Sequence, residues 1–188
     1  TRQVGAESQR WDRVDVVGAS DGYLKATEYE LKLIADGYGP TDRDVWQALI
    51  DNPGLAVAGG FLVANSEDVT ADSDIDPVIE DVFYKDEKMS PVEIKVREPR
   101  TGAILALTVI AVMDRVHDNS GTVITSKVVI DNAVPFDVPI TNYRFKLAQG
   151  TDASEVAKSL GRYEFLFTAA PLRIEMGMGS PINPIATF

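Results

Sequence analysis

GYGPTDRDVWQALIDNPGLAVAGGFLV, residues 37–63, places a strong helix signal directly before a strong buried-strand signal. Pro40 ends what precedes it. Thr41 is a helix N-cap, since its hydroxyl can accept from an otherwise unpaired first-turn N–H. Asp44 follows at capping-box spacing and faces the positive end of the helix dipole. Val45, Trp46, Ala48, Leu49 and Ile50 then recur at helical spacing. Asn52, Pro53 and Gly54 stop the helix. Leu55 to Ala58 is an apolar run of strand length, closed by Gly59 and Gly60. The reading is a short amphipathic helix feeding a buried strand.

Before this unit, Arg13 to Val17 reads as a strand entering Gly18, and Ser20 or Asp21 caps a short helix through Leu24 and Ala26. Glu28 to Ile34 returns as a strand with Tyr29, Leu31 and Leu33 on one face. Residues 1–12 are polar and are expected to be frayed. After the unit, Glu67 to Lys88 holds nine acids against two lysines, a local net of −7. This reads as an exposed connection, with Val78 to Tyr84 as a short strand inside it. Val92 to Glu98 alternates, Pro99 to Gly102 turns, and Ala103 to Met113 comes back, a hairpin by pattern. Asp114 to Gly121 is a polar loop and Thr122 to Ile130 a further strand. Asn142 to Leu147 alternates with Tyr143, Phe145 and Leu147 inward. Thr151 or Asp152 caps a helix through Leu160, with Glu155 at capping-box spacing. Tyr163 to Ile174 is apolar without a clear period, and Gly177 to Pro184 is a loop.

Hairpins beside short helices, with no internal repeat, give an α+β class rather than a doubly wound sheet. The expected organisation is an N-terminal segment 1–12, a two-lobed domain 13–174 and a C-terminal tail 175–188. One lobe has short helices on a sheet, residues 13–63 with 141–174. The other is mostly antiparallel β, about residues 78–131.

The chain has 188 residues, 45% apolar and 25% charged, which suits a packed core. Its net charge is −11, which argues against nucleic acid or an anionic membrane surface as main partner. There are no cysteines, so disulfides, thiolate metal sites and cysteine nucleophiles are excluded. The longest apolar run, Ala103 to Met113, is too short to span a bilayer, which takes about 20 residues. TRQVGAESQR lacks a signal-peptide core.

Together with VDVVGASDGYLKATEYELKL (residues 14–33), the segment GYGPTDRDVWQALIDNPGLAV resembles the extracytoplasmic, MacB-type periplasmic core domain of FtsX-like ABC transporter permeases. The matching positions are Gly18, Tyr23, Leu24, Gly37, Tyr38, Asp42, Val45, Trp46, Leu49, Pro53, Leu55, Ala56 and Val57. Weaker matches follow in PVEIKVREPRTGAILALTVIAVM (91–113) and YRFKLAQGTDASEVAKSL (143–160). The resemblance implies a non-enzymatic, two-subdomain domain between two membrane helices, on the extracytoplasmic side of the cell membrane. It implies coupling of cytoplasmic ATP hydrolysis to substrate export or to activation of a partner. The implied partners are an ATP-binding cassette subunit reached through membrane helices, a second permease copy and an extracytoplasmic protein. It implies no cofactor, metal or catalytic residue. The family continues past Lys158-Ser159-Leu160 with an acid and a long helix, whereas Gly161, Pro171, Gly177, Gly179, Pro181 and Pro184 stand here. No family feature is carried onto residues 161–188.

Two local patterns offer other chemistry. Gly18-Ala19-Ser20-Asp21-Gly22 matches the G-x-S-x-G nucleophile elbow between a strand and a helix. With Asp114 and His117 it gives an alternative, a small soluble serine hydrolase using Ser20 and His117. The bland counterpart is a capped turn whose glycines supply tight backbone geometry. Against the hydrolase stand the single histidine, in a polar loop, and hairpins where βα repeats belong. Asp72-Ser73-Asp74-Ile75-Asp76 opens like an EF-hand loop but has Pro77 where glycine and Phe83 where a bidentate glutamate are needed. A solvated acidic connection is the plainer reading, with weak non-EF calcium binding left open. His117 has no second histidine or cysteine to complete a transition-metal site. No phosphate-binding loop is present. A free binding or assembly module is the third reading.

Overall fold

The computed structural model of the protein describes residues 2–3, 11–66, 79–117, 119–141, 143, 147–148, 150–159, 166–171 and 182–187. In chain order its elements begin with strands β1 (Arg2–Gln3), β2 (Trp11–Asp12) and β3 (Asp15–Ala19), then helix α1 (Asp21–Ala26) and β4 (Leu31–Ile34). Helix α2 (Asp42–Asp51) and β5 (Leu55–Ala58) follow, then a 3₁₀ turn (Gly60–Leu62), β6 (Val63–Ala64) and β7 (Ile79–Phe83). The hairpin β8 (Val92–Arg97) and β9 (Ile104–Met113) leads to β10 (Thr122–Ser126) and α3 (Lys127–Ala133). Last come α4 (Ala153–Ser159), β11 (Leu166–Pro171) and β12 (Ile182–Thr187). The class is α+β. The chain divides into two compact units, Thr1–Val138 and Pro139–Phe188.

In the first unit, α2 forms where the capping box predicts it. Thr41 Oγ accepts from the Asp44 N–H, and the Asp44 carboxylate accepts from the Thr41 N–H at 3.1 Å. Together these satisfy two donors that a helix start leaves orphaned. The Asn52 N–H closes the other end on the Ala48 carbonyl. Val45, Trp46 and Leu49 are buried on the inner face, and Ala48 and Ile50 pack against the core beside them. The helix lies on β4, β5 and β10 and contacts α1. Arg43, in its first turn, donates to the Leu24 and Lys25 carbonyls at the end of α1. That gives the last carbonyls of α1 a partner and ties the two helices together.

β5 explains the sheet. All four of its residues are buried, so both faces and both edges must be covered. β9 pairs with it in parallel along one edge and β10 antiparallel along the other. The sheet runs β2-β1-β8-β9-β5-β10-β3. β4 adds to the same edge of β9 as β8, beyond it: β8 reaches Val109 and β4 takes over at Ala111. β3 pairs in parallel with β10, Asp15 opposite Thr122 and Ala19 opposite Ser126. A side chain at Gly18 would come within 3.2 Å of Lys127 and Ile130, so the missing Cβ lets α3 cross β3 closely.

In the second unit, α4 is capped by Asp152, whose carboxylate accepts from the Ser154 N–H at 2.7 Å. Hydrogen bonds from Ser154 hold that carboxyl below its ordinary range. β11 and β12 pair antiparallel, Leu166 opposite Thr187 and Pro171 opposite Ile182.

Several expectations are corrected. Residues 13–63 and 78–131 are not two lobes: β3, β4 and β5 of the first interleave with β8, β9 and β10 of the second in one sheet, because β5 needs β9 and β10 as neighbours, and β6 pairs with β7 in a small separate sheet. Residues 141–174 do not join 13–63 but fall in the unit Pro139–Phe188. The N-terminal segment is not simply frayed, since β1 pairs with β8 and with β2. The tail 175–188 contains β12. The strand expected over 122–130 ends at Ser126, whose Oγ accepts from the Val128 N–H and starts α3 instead. The strand expected over 28–34 is confined to Leu31–Ile34. Tyr143, expected inward, is exposed. The loop expected over 177–184 is overtaken at its end by β12, which begins at Ile182; residues 177–181, the acids of 67–78 and Phe145 lie outside the described residues.

Candidate functional site

The side chains with the most varied chemistry gather at one end of the sheet. Three connections meet there. One is residues 27–30, entering β4. The others are Gly59–Leu62, leaving β5, and residues 114–121, joining β9 to β10. Register places them together, because Leu31 pairs with Met113 and Ala58 with both Val112 and Val123.

Backbone contacts bind the three. Gly59 donates to the Thr122 carbonyl and Phe61 to the Ser120 carbonyl, each at 2.8 Å. A Cβ on Gly59 would lie 2.2 Å from the Ser120 oxygen, and one on Gly60 2.6 Å from the Met113 oxygen. The double glycine is therefore demanded by close approach of backbone to backbone. Asp114 donates from its backbone to the Glu30 carbonyl, and the Glu30 N–H donates to His117 Nε2 at 3.1 Å.

His117 is built into this framework. Its ring stacks on Tyr29 with centroids 4.7 Å apart, and Tyr29 in turn meets Trp46 edge-on at 6.5 Å. The Trp46 indole N–H donates to the Tyr29 carbonyl. The Asn119 amide donates to the hydroxyls of both Tyr23 and Tyr29. The cluster thus reaches from the buried face of α2 to the surface through a chain of rings.

Arg115 anchors the other side. Its guanidinium donates to the Gly60 and Val63 carbonyls and to Asn65 Oδ1, at 2.9–3.3 Å. It also lies 4.2 Å from the Tyr84 ring centre and 5.5 Å from that of Phe61. Burial and a hydrogen bond with Asp114 push the Tyr84 phenol up, against a backbone hydrogen bond from Arg115 that pulls it down. Both stems of the acidic stretch are fixed here: Val63 pairs with Ile79, and the Lys85 N–H donates to the Asn65 carbonyl. Outward from Arg115, Phe61 is 45% exposed and Val116 77% exposed. Glu28 and Glu30 are exposed in the connection entering β4.

The residues of the nucleophile-elbow pattern are not brought together. Ser20 follows the end of β3 that pairs with Ser126, while the His117 loop closes onto the end that pairs with Asp15. Four strand steps, about 13 Å, separate those ends. Ser20 Oγ accepts from the Tyr23 N–H as the cap of α1. The Nε2 lone pair of His117 is taken by Glu30, and the Asp114 carboxylate accepts from the Val116 N–H. The sequence pattern marks a capped turn, and the lobe boundary once expected between Ser20 and His117 does not exist.

One other place holds polar side chains. A shallow crevice of about 630 Å³ lies where β4 ends and β8 begins, lined by Asp36, Asp81, Lys88, Ser90 and Glu93 among others. Among the described residues, no group of three or more histidines or carboxylates is placed to hold a metal ion. The EF-hand-like run Asp72–Asp76 lies outside them. No helix among the described residues is long and apolar enough to cross a membrane.

Sequence reasoning treated 114–121 only as a polar loop with one base in it. What it missed is the joint role of Arg115, Asn119, Phe61 and Tyr29. The one available signal was an arginine, a histidine and an asparagine in a single short loop, opposite a Gly-Gly-Phe. Comparison with known proteins identifies no relative: no family model, curated protein or solved structure matches the chain.

Proposed function

We propose that this chain is the extracytoplasmic domain of an FtsX-like, MacB-type ABC permease, coupling ATP hydrolysis across the membrane to export or to activation of a partner. The observation that carries the reading is where the resembling positions fall. Leu24, Val45, Trp46, Leu49, Leu55, Ala56 and Val57 are all buried, and together they make the α1–α2–β5 packing unit. Gly18 is where α3 crosses β3. Most of the resembling positions are thus core positions of this chain, which supports the reading. In this reading the domain has no catalytic residue or cofactor of its own. It works with an ATP-binding cassette subunit through membrane helices, with a second permease copy and with an extracytoplasmic protein, on the outer side of the cell membrane.

The test is the complete reading frame that contains this chain. Membrane-spanning segments on both sides, and co-purification of the full-length protein with an ATP-binding cassette ATPase, are expected. A reading frame that encodes no membrane segment would overturn the proposal. The hydrolase alternative needs Ser20 and His117 in contact, and they stand at opposite ends of the β3–β10 pair. Turnover of an activated ester by the wild type above a Ser20→Ala control would revive it. A free binding module remains the outcome if neither membrane segments nor turnover is found.

A further inference from the structure

We propose that His117 is a proton-operated latch between the loop that joins β9 to β10 and the connection that enters β4. The latch is closed when the ring is neutral and opens when the ring takes up a second proton. The proposal goes beyond the permease reading and does not rest on it. Two observations carry it.

The first is the direction of one hydrogen bond. The Glu30 backbone N–H meets His117 Nε2 at 3.1 Å. A backbone amide nitrogen can only donate, so Nε2 accepts with its lone pair. The ring in this bond is therefore the neutral tautomer that carries its proton on Nδ1. An imidazolium has two N–H donors and no acceptor. Protonation at Nε2 would set two donors against each other at the same place, so the bond and the charged ring exclude one another.

The second is what depends on that bond. The ring lies on Tyr29 with centroids 4.7 Å apart, and the Asp114 N–H donates to the Glu30 carbonyl at 3.1 Å. The Asn119 amide reaches the hydroxyls of Tyr29 and of Tyr23 on α1. These contacts run between the loop and the chain before β4, and His117 makes two of them. Below them β4 is paired with β9 from Leu31 and Met113 onward, so opening the latch frees the loop and leaves the sheet intact. The charged groups on the two segments are Glu28 and Glu30 in the connection, and Asp114 and Arg115 in the loop, with Asp118 outside the described residues. Glu28 is already partnered, the Asp114 carboxylate accepts from the Val116 N–H, and the Arg115 guanidinium is turned to the Gly60 and Val63 carbonyls. Attraction between a charged ring and exposed carboxylates is weakened by water and salt. It does not replace a bond whose direction the backbone fixes.

The experiment is nuclear magnetic resonance on the whole chain, whose single histidine makes the ring signals unambiguous. At about pH 8 the ring nitrogens should report the Nδ1–H tautomer, and the Glu30 amide should be protected from hydrogen exchange. Between about pH 8 and about pH 5 that protection, corrected for intrinsic exchange, should fall about fivefold or more, with the midpoint of the ring's own titration. The amides of β5 and β10 should keep theirs. His117→Gln carries an acceptor oxygen at the same reach as Nε2 and takes up no proton in this range, so its Glu30 protection should stay level. An Nε2–H tautomer, or an unprotected Glu30 amide at the upper pH, would overturn the proposal. So would protection that does not follow the ring titration, or the same fall in His117→Gln. An equal loss in β5 and β10 would be unfolding and not a latch. The wild-type measurements decide by themselves should the variant not fold. None of these outcomes depends on membrane segments, so failure here and failure of the permease reading are separable.

Discussion

Trp46 carries two jobs with one side chain. Its ring is 1% exposed in the core, and its N–H reaches the Tyr29 carbonyl, so it links the centre of α2 to the surface loops. Trp46→Ala should therefore cost about 3–5 kcal/mol in a denaturant titration, the usual loss for a large buried aromatic. A change under about 1 kcal/mol would mean that the inner face of α2 is not core. Gly59 makes a sharper case, because what crowds it is backbone. A methyl group there meets the Ser120 carbonyl at 2.2 Å, and neither strand end can yield without breaking the Gly59–Thr122 and Phe61–Ser120 hydrogen bonds. Gly59→Ala should destabilise by about 1–3 kcal/mol or more, as overpacking does. Gly121→Ala, with open space around its Cβ position, should be far milder in the same titration. Near-equal effects would show that the double glycine is not a close-approach device.

The elements were legible to very different degrees, and the difference is physical. The helix and strand of 41–58 could be read because every signal was local: a capping box, one apolar stripe, a Pro-Gly stop and an apolar run. The β8–β9 hairpin was legible for the same reason, with alternation on both sides of a turn. What could not be read was partnership. Nothing in LAVA says that its neighbours lie about fifty and seventy residues further on, which is why one sheet was divided into two lobes. The candidate site was illegible in the same way, since its members come from three separate connections. The helix at 127–133 was missed because Val128-Val129-Ile130 reads as strand, and only the Ser126 cap turns the chain. The hairpin turn gives a prediction at this scale. Some desolvation opposes charge on the Glu98 carboxyl, but hydrogen bonds from the Thr101 and Arg100 N–H groups and the Arg100 side chain prevail. They hold it well below its ordinary 4.5, at about 2. A lowered folded-state value means that the stabilisation is complete above pH 4.5 and is lost as pH falls toward 2. Melting of wild type and Glu98→Gln should therefore differ most at neutral pH and converge across that window. A gap that stays constant to the bottom of it would show that the turn does not depend on the ionised carboxylate.

Charge is distributed over the whole molecule as unevenly as chemistry is. Residues 1–138 hold 25 acidic and 13 basic side chains, a net of −12, while residues 139–188 hold four and five, a net of +1. The first unit must therefore bear nearly all the self-repulsion, concentrated in the stretch from Glu67 to Lys88. Such repulsion disfavours the compact state and is relieved by screening. Melting temperature should rise as sodium chloride is taken from about 10 mM to about 300 mM, over which the screening length falls from about 30 Å to several ångströms. The same acids could instead gather a cation, and the two cases differ in form. Screening depends on ionic strength alone and does not saturate at low concentration. A site that binds only the folded chain adds RT ln(1 + [L]/Kd), which continues to grow after the salt effect is exhausted. With about 150 mM sodium chloride present, about 1 mM calcium should leave the melting temperature unchanged, because general screening is then nearly complete. A calcium-dependent rise of several degrees against that background, growing with the logarithm of calcium concentration, would show an ion site.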